Sequence, residues 1–212
     1  MSLPRLCRTA SRLRALLAGC APCLLLAAPT ALAGELQFLN GGYAELCARV
    51  AQQVYLGTAE QYYEITGSRV GLTPMEICNR AVNGYDGSGE NVAESYNNRG
   101  VLWFAQGGLE AALQDFGRAI RQQESMAQAH INRGYTLIAL QRWQEAIPAF
   151  TRGLELGSSE EARALYNRGI AHEETGALRE AYQDYRRAAE LAPDWDEPQL
   201  ELQRFQVSLK AL

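Results

Sequence analysis

The side chains with the most chemical potential are five cysteines and two histidines. Cys7, Cys20 and Cys23 fall in the first 33 residues, while Cys47 and Cys78 lie 31 residues apart in the body of the chain. Two thiols in an exported body point to a disulfide between Cys47 and Cys78. On the chain-entropy model, such a bridge stabilises by about 3–4 kcal/mol. The rival reading is two buried free thiols packing as small hydrophobes. Catalytic sulfur is disfavoured, because neither cysteine lies in a Cys-x-x-Cys motif and no histidine or basic cluster is close to either in sequence. His172-Glu173-Glu174 offers metal or acid–base chemistry, which makes a metal-dependent hydrolase at His172 and Glu173 the remote alternative. No second histidine follows at zincin spacing, however, and a packed core imidazole explains both His130 and His172 more simply. Ser-x-x-Lys and Gly-x-Ser-x-Gly are absent, and no strand is predicted that could carry a phosphate-binding loop. Asp115 with Arg118, and Asp184 with Arg187, read as surface pairs one helical turn apart, worth tenths of a kcal/mol. The expectation is a protein without catalysis, metal or cofactor.

The elements that position these residues begin with a leader. Residues 1–33 carry Arg5, Arg8, Arg12 and Arg14 and no acid, then an uncharged apolar run from Ala15 to Ala28. Ala31-Leu32-Ala33 before Gly34 has the small-x-small form of a secretory cleavage site. A competing processing site lies inside the run. Leu17-Ala18-Gly19-Cys20 resembles the box at which a bacterial lipoprotein is cut and acylated, here on Cys20. Only Ala15, Leu16 and Leu17 separate Arg14 from Ala18, a poor apolar core for an export signal ending there, so cleavage after Ala33 is favoured. The expected location is periplasmic, with an outer-membrane lipoprotein as the alternative. Without the leader, 16 basic groups face 24 acidic ones, a net charge of −8. That balance argues against nucleic acid or an anionic membrane surface as partner, and no membrane span is expected after the leader.

The body is organised by repetition. Asn98-Arg99-Gly100, Asn132-Arg133-Gly134 and Asn167-Arg168-Gly169 are spaced by 34 and 35 residues. Four residues before each glycine stands Tyr96, His130 or Leu165; three after it stands Trp103, Leu137 or His172. An alanine follows at twelve (Ala112, Ala146, Ala181), an aromatic at sixteen (Phe116, Phe150, Tyr185) and a small residue at nineteen (Ala119, Gly153, Ala188). A period of this length marks a stack of helical repeats. Over about residues 93–195 the pattern resembles the tetratricopeptide repeat family, in which each repeat is a pair of antiparallel helices. The resemblance implies an all-α superhelix that serves as a protein-interaction scaffold, and implies no chemistry. Where the family most often has leucine before the glycine, all three copies have arginine, whose aliphatic stem can pack there.

The predicted organisation follows. Residues 34–92 form an N-terminal helical hairpin that caps the stack, with Cys47 and Cys78 on facing helices. Tyr43, Leu46, Cys47, Val50, Ala51, Val54 and Tyr55 set the first apolar stripe. Thr58 and Gln61 are a possible capping pair, whereas Thr73-Pro74-Met75-Glu76 is a clean helix start that leads to a stop at Asn83-Gly84. Residues 84–90 read as a loop, and Asn91 as the cap of the next helix. Repeats span 93–126, 127–161 and 162–195, with Ser158 and Glu161 capping the third. Pro148 removes one hydrogen bond from a helix and is expected on its outer, solvated face. Residues 196–212 form a closing helix.

In a solenoid of this kind the first helix of each repeat lines the concave side. One stripe there is not needed for the hairpin core: Asn97, Val101 and Phe104; Ile131, Tyr135 and Ile138; Tyr166, Ile170 and Glu173. With Asn98, Asn132, Asn167 and Arg163 beside it, the stripe predicts a groove with apolar and aromatic walls and repeated amides, suited to a partner peptide or helix. The rival is that adjacent repeats bury much of it and that the asparagines bond local backbone. The family's peptide-terminus clamp relies on lysines, and Lys210 is the only one here, so that specificity is not carried over.

Overall fold

A computed structural model describes residues 42–55, 72–84 and 92–210, and among these every regular element is a helix. The architecture is the expected all-α one. The expected leader with Cys20, and Thr58, Gln61 and Asn91, lie outside the described residues. The chain divides into two compact units between Gln106 and Gly107.

The first unit packs three helices, α1 (Gly42–Tyr55), α2 (Pro74–Val82) and α3 (Val92–Ala105), against one another. The α2 start is built as its sequence dictates. Thr73 Oγ1 accepts from the Glu76 N–H at 3.2 Å, and Glu76 Oε2 accepts from the Thr73 N–H at 2.7 Å. These bonds satisfy two donors that a helix terminus leaves open, and they hold the Glu76 carboxyl below the ordinary range. At the other end Asn83 caps the helix and Gly84 takes φ 66°. Cys47 and Cys78 form a disulfide with Cα atoms 4.8 Å apart, tying α1 to α2. The bridge sits in a core of Val50, Ile77, Ala81 and Leu102, flanked by Leu46, Val54 and Met75. Tyr43 accepts a hydrogen bond from Arg80 at 2.6 Å, and Asn79 accepts one from Arg99 at 3.0 Å.

The second unit holds α4 (Leu109–Gln122), α5 (Ala127–Ala139), α6 (Trp143–Glu155), α7 (Glu161–Glu174), α8 (Leu178–Leu191) and α9 (Asp196–Lys210). Each packs on the next in chain order. The repeat glycines close the hairpins. A Cβ on Gly134 would lie 2.8 Å from the Phe150 ring, and one on Gly169 would lie 2.8 Å from the Tyr185 ring, so a larger residue at either position would drive the helices apart. Phe150 and Tyr185 are fully buried beneath them. Pro148 is exposed on α6, which continues through it. Ser158 and Glu161 do not make the expected capping box: Glu160 is the N-cap of α7, and Ser158 Oγ accepts from the Glu160 N–H at 3.1 Å.

Candidate functional site

Helices α5 and α7 supply the candidate site in the second unit. Gln128, Asn132 and Tyr135 share one face of α5, as Arg163, Asn167 and Ile170 share one face of α7. Only part of the predicted wall is open. Ile131, Ile138 and Ile170 are each 3 % exposed or less, and they belong to the interior. For Ile131 the reason is visible on the facing helix: its side chain fills the space above Gly153, where a Cβ would meet it at 2.5 Å. The small residue nineteen positions after the repeat glycine makes that hole. The amides Asn97, Asn132 and Asn167 are also buried, at 9 % exposure or less. Half-buried, with an accessible edge, are Tyr135, Arg163 and Tyr166 in the second unit, and Asn98, Val101 and Phe104 on α3 in the first.

The two tyrosines are held differently. The Tyr135 ring stands edge-on to Phe150 at 5.3 Å, and its hydroxyl donates to Glu160 Oε2 at 3.3 Å. Gln128 donates to Glu160 Oε1 at 2.9 Å and to Asn132 Oδ1 at 3.2 Å. Tyr166 packs between Tyr185 and Trp195, with ring centroids at 5.5 and 4.9 Å. Glu160 and Trp195 were not anticipated as wall residues. Both stand twenty-six positions after a repeat glycine, in the link to the next helix, and this shared register is the sequence feature that would have found them. Asn167 donates from Nδ2 to the Arg163 carbonyl at 2.9 Å, while its Oδ1 is buried and accepts no hydrogen bond. A buried acceptor left unpaired costs about 1–3 kcal/mol.

The ion pairs differ from the surface reading. Asp184 is nearly enclosed, and its partner is Arg168 rather than Arg187. The Arg168 guanidinium donates to both carboxylate oxygens at 2.7 and 2.8 Å and to Thr151 Oγ1 at 3.0 Å. In this repeat the arginine before the glycine is therefore an ionic link across the hairpin, not merely an aliphatic stem. Asp115 is likewise buried, paired to Arg118 at 3.0 Å. His172 Nε2 lies 3.9 Å from Asp184 Oδ2, and its Nδ1 is buried without a partner. Burial holds the His172 pKa below the ordinary 6.5, although Asp184 pulls the other way. Glu173 accepts from Tyr185 at 3.0 Å and from Arg204 of α9, so it is a structural anchor rather than an open wall residue. His130 Nε2 lies 3.0 Å from the Glu124 carbonyl oxygen. Among the described residues, no three His, Cys, Asp or Glu side chains are gathered to hold a metal ion, and no helix is long and apolar enough to cross a membrane.

The model of the tetratricopeptide repeat family matches residues 98–159 and 131–195. Over residues 98–195 the repeats are similar to those of that family. A DnaJ homolog subfamily C member 7 homolog of Schizosaccharomyces pombe is 31 % identical over 121 residues, covering 55 % of this chain and 25 % of that protein. The chain spans a quarter or less of the length of the curated relatives it matches. MamA from Desulfovibrio magneticus, residues 41 to the end, superposes with TM-score 0.62 at 16 % identity, covering 80 % of this chain and 87 % of that one. That likeness shows the fold. The second tetratricopeptide domain of human RPAP3, solved in complex with an HSP70 peptide, superposes with TM-score 0.50 at 28 % identity, over 54 % of this chain and 94 % of that one.

Proposed function

We propose that this protein is a non-catalytic interaction scaffold of the bacterial cell envelope that holds a segment of a partner protein on the inner faces of its tetratricopeptide first helices. One observation carries the reading. Half-exposed Tyr135 and Tyr166 stand beside buried amides, and one of these, Asn167, has an acceptor that no group among the described residues satisfies. Aromatic walls supply contact area, and amides of this kind bond an extended backbone. The peptide held by the RPAP3 domain supports the same use of the fold. Asn98, Val101 and Phe104 on α3 are the corresponding candidates of the first unit. Export is supported by the leader and by the Cys47–Cys78 disulfide, since such bonds persist in oxidising compartments.

The test replaces Tyr135 and Tyr166 together by alanine and captures partners from an envelope extract. Loss of the wild-type partner, with helical circular dichroism retained, is expected. Retention of the partner would rule out the groove. Intact mass of the mature protein checks the compartment: cleavage after Ala33 is expected, whereas an acylated Cys20 would make the protein a lipoprotein.

A further inference from the structure

Five carboxylates of the second unit are withdrawn from full exposure: Asp115, Glu160, Glu173, Asp184 and Glu201. Four of them rest on an arginine, namely Arg118, Arg204, Arg168 and again Arg204. Glu160 alone rests on neutral donors, the Gln128 amide and the Tyr135 hydroxyl. Among the described residues, no arginine, lysine or histidine forms an ion pair with Glu160. A half-buried carboxylate that lacks a cation keeps a charge its surroundings do not neutralise, and a charged donor strengthens the bond to such an oxygen.

We propose that Glu160 is the counter-charge for an arginine or lysine of the bound partner segment, so that the groove of the second unit selects a cationic, extended chain. The inference rests on the groove reading above and adds the chemistry of its occupant. Three features agree with it. Glu160 accepts from the Tyr135 hydroxyl, so a guanidinium that reaches the carboxylate arrives at the tip of an aromatic side chain. Glu160 is the N-cap of α7, and Arg163 and Asn167 follow it at three and seven residues, so Asn167 lies about 10 Å further along, within the span of a few extended residues. The whole unit, residues 107–212, carries sixteen acidic against twelve basic side chains, which favours approach of a positive segment.

The experiment selects random linear dodecapeptides on phage against the purified full chain, then measures the winners by fluorescence anisotropy. An excess of arginine or lysine is expected, with affinity falling about tenfold on Glu160→Gln, the loss of one charge-assisted bond. Glu155→Gln, an equal charge change at an exposed position of α6, is expected to leave affinity within twofold. Winners that depend on Tyr135 and Tyr166 but carry no basic excess, or that ignore Glu160→Gln, overturn the cationic assignment and leave the groove standing. Winners that are acidic at their C-terminus overturn it in favour of Arg163 reading a carboxylate. No enrichment, or binding indifferent to the tyrosine pair, overturns the groove and this inference together.

Discussion

The hairpins α5–α6 and α7–α8 share one backbone plan and fill it with different chemistry. In both, a glycine lets an aromatic ring close the pair, Phe150 over Gly134 and Tyr185 over Gly169, with the same 2.8 Å clearance to an added Cβ. Thirty-five residues on, however, Ala149 becomes Asp184, Leu137 becomes His172 and Phe150 becomes Tyr185. The first hairpin is closed by carbon alone at these positions. The second is closed by a bidentate Arg168–Asp184 pair, a phenol bonded to Glu173 and an imidazole beside the carboxylate. The small and ring positions thus set the geometry, and the remaining core sites accept either kind of filling if every buried charge has a partner. The ionic filling also reaches outward, since Arg168 bonds Thr151 on α6 and joins one hairpin to the other.

That difference makes the second hairpin the more fragile to single changes. Asp184→Ala leaves the Arg168 guanidinium, itself only 20 % exposed, without its counter-charge. Breaking one side of such a pair costs about 3–5 kcal/mol, whereas replacing both partners by apolar residues is often neutral or favourable. Urea unfolding is therefore expected to show a large loss for Asp184→Ala and a much smaller one for Arg168→Met with Asp184→Leu. Equal losses for the single and double variants would mean that the pair is not what closes the hairpin. A deficit under about 1 kcal/mol for Asp184→Ala would mean that water has access to the site, as at surface pairs.

Acid should separate the hairpins as well. Burial sets the folded pKa of His172 below 6.5, so the fold favours the neutral ring. The native state then binds fewer protons than the unfolded one around and below pH 6.5, and stability falls as pH falls through that window. Leu137, the counterpart in the first hairpin, has no such dependence. The urea midpoint of wild type is expected to decline more steeply from pH 7 to pH 5.5 than that of His172→Leu, whatever the offset between them at pH 7. Parallel slopes would show that the imidazole gains as much from Asp184 as it loses by burial.

The periodic features were legible because they repeat: the glycine register, the ring sixteen residues later and the helices these imply. Thr73 with Glu76 was equally legible, since a capping box is local and its partners are three residues apart. Cys47 with Cys78 was legible by elimination, since the other three cysteines fall in the first 33 residues. What escaped are contacts between helices. Rules for side-chain pairs on one helix pointed Asp184 at Arg187, but its partner stands sixteen residues earlier across the hairpin. Ile131 was assigned to the wall because periodicity gives a direction around the helix axis, and Gly153 opens the core in nearly the same direction. Glu160 lies in a link outside the repeat's apolar pattern, where only its register with Trp195 distinguishes it.

The smallest expected effect concerns the turns rather than the cores. The α7–α8 hairpin turns through one glycine of positive φ, Gly176 at 84°, but the α5–α6 hairpin uses Gln141 at 58°. For a residue with a Cβ this conformation costs about 1–2 kcal/mol, and here it is imposed by bonds on either side. The Gln141 N–H reaches the Ile138 carbonyl at 2.9 Å, and the Arg142 N–H reaches the Leu137 carbonyl at 2.8 Å. The Gln141 side chain is exposed, so removing it sacrifices no core packing. Gln141→Gly relieves the strain but adds freedom to the unfolded chain, an offset of about 0.5–1 kcal/mol. The net expectation is a gain of about 0.5–1 kcal/mol, read as a higher urea midpoint at unchanged m. The reverse change, Gly176→Gln, should cost a similar amount, because it imposes on α7–α8 the strain that α5–α6 already carries. If Gln141→Gly lowers the midpoint instead, the glutamine contributes more than its backbone angle costs, and the two turns differ in kind as their cores do.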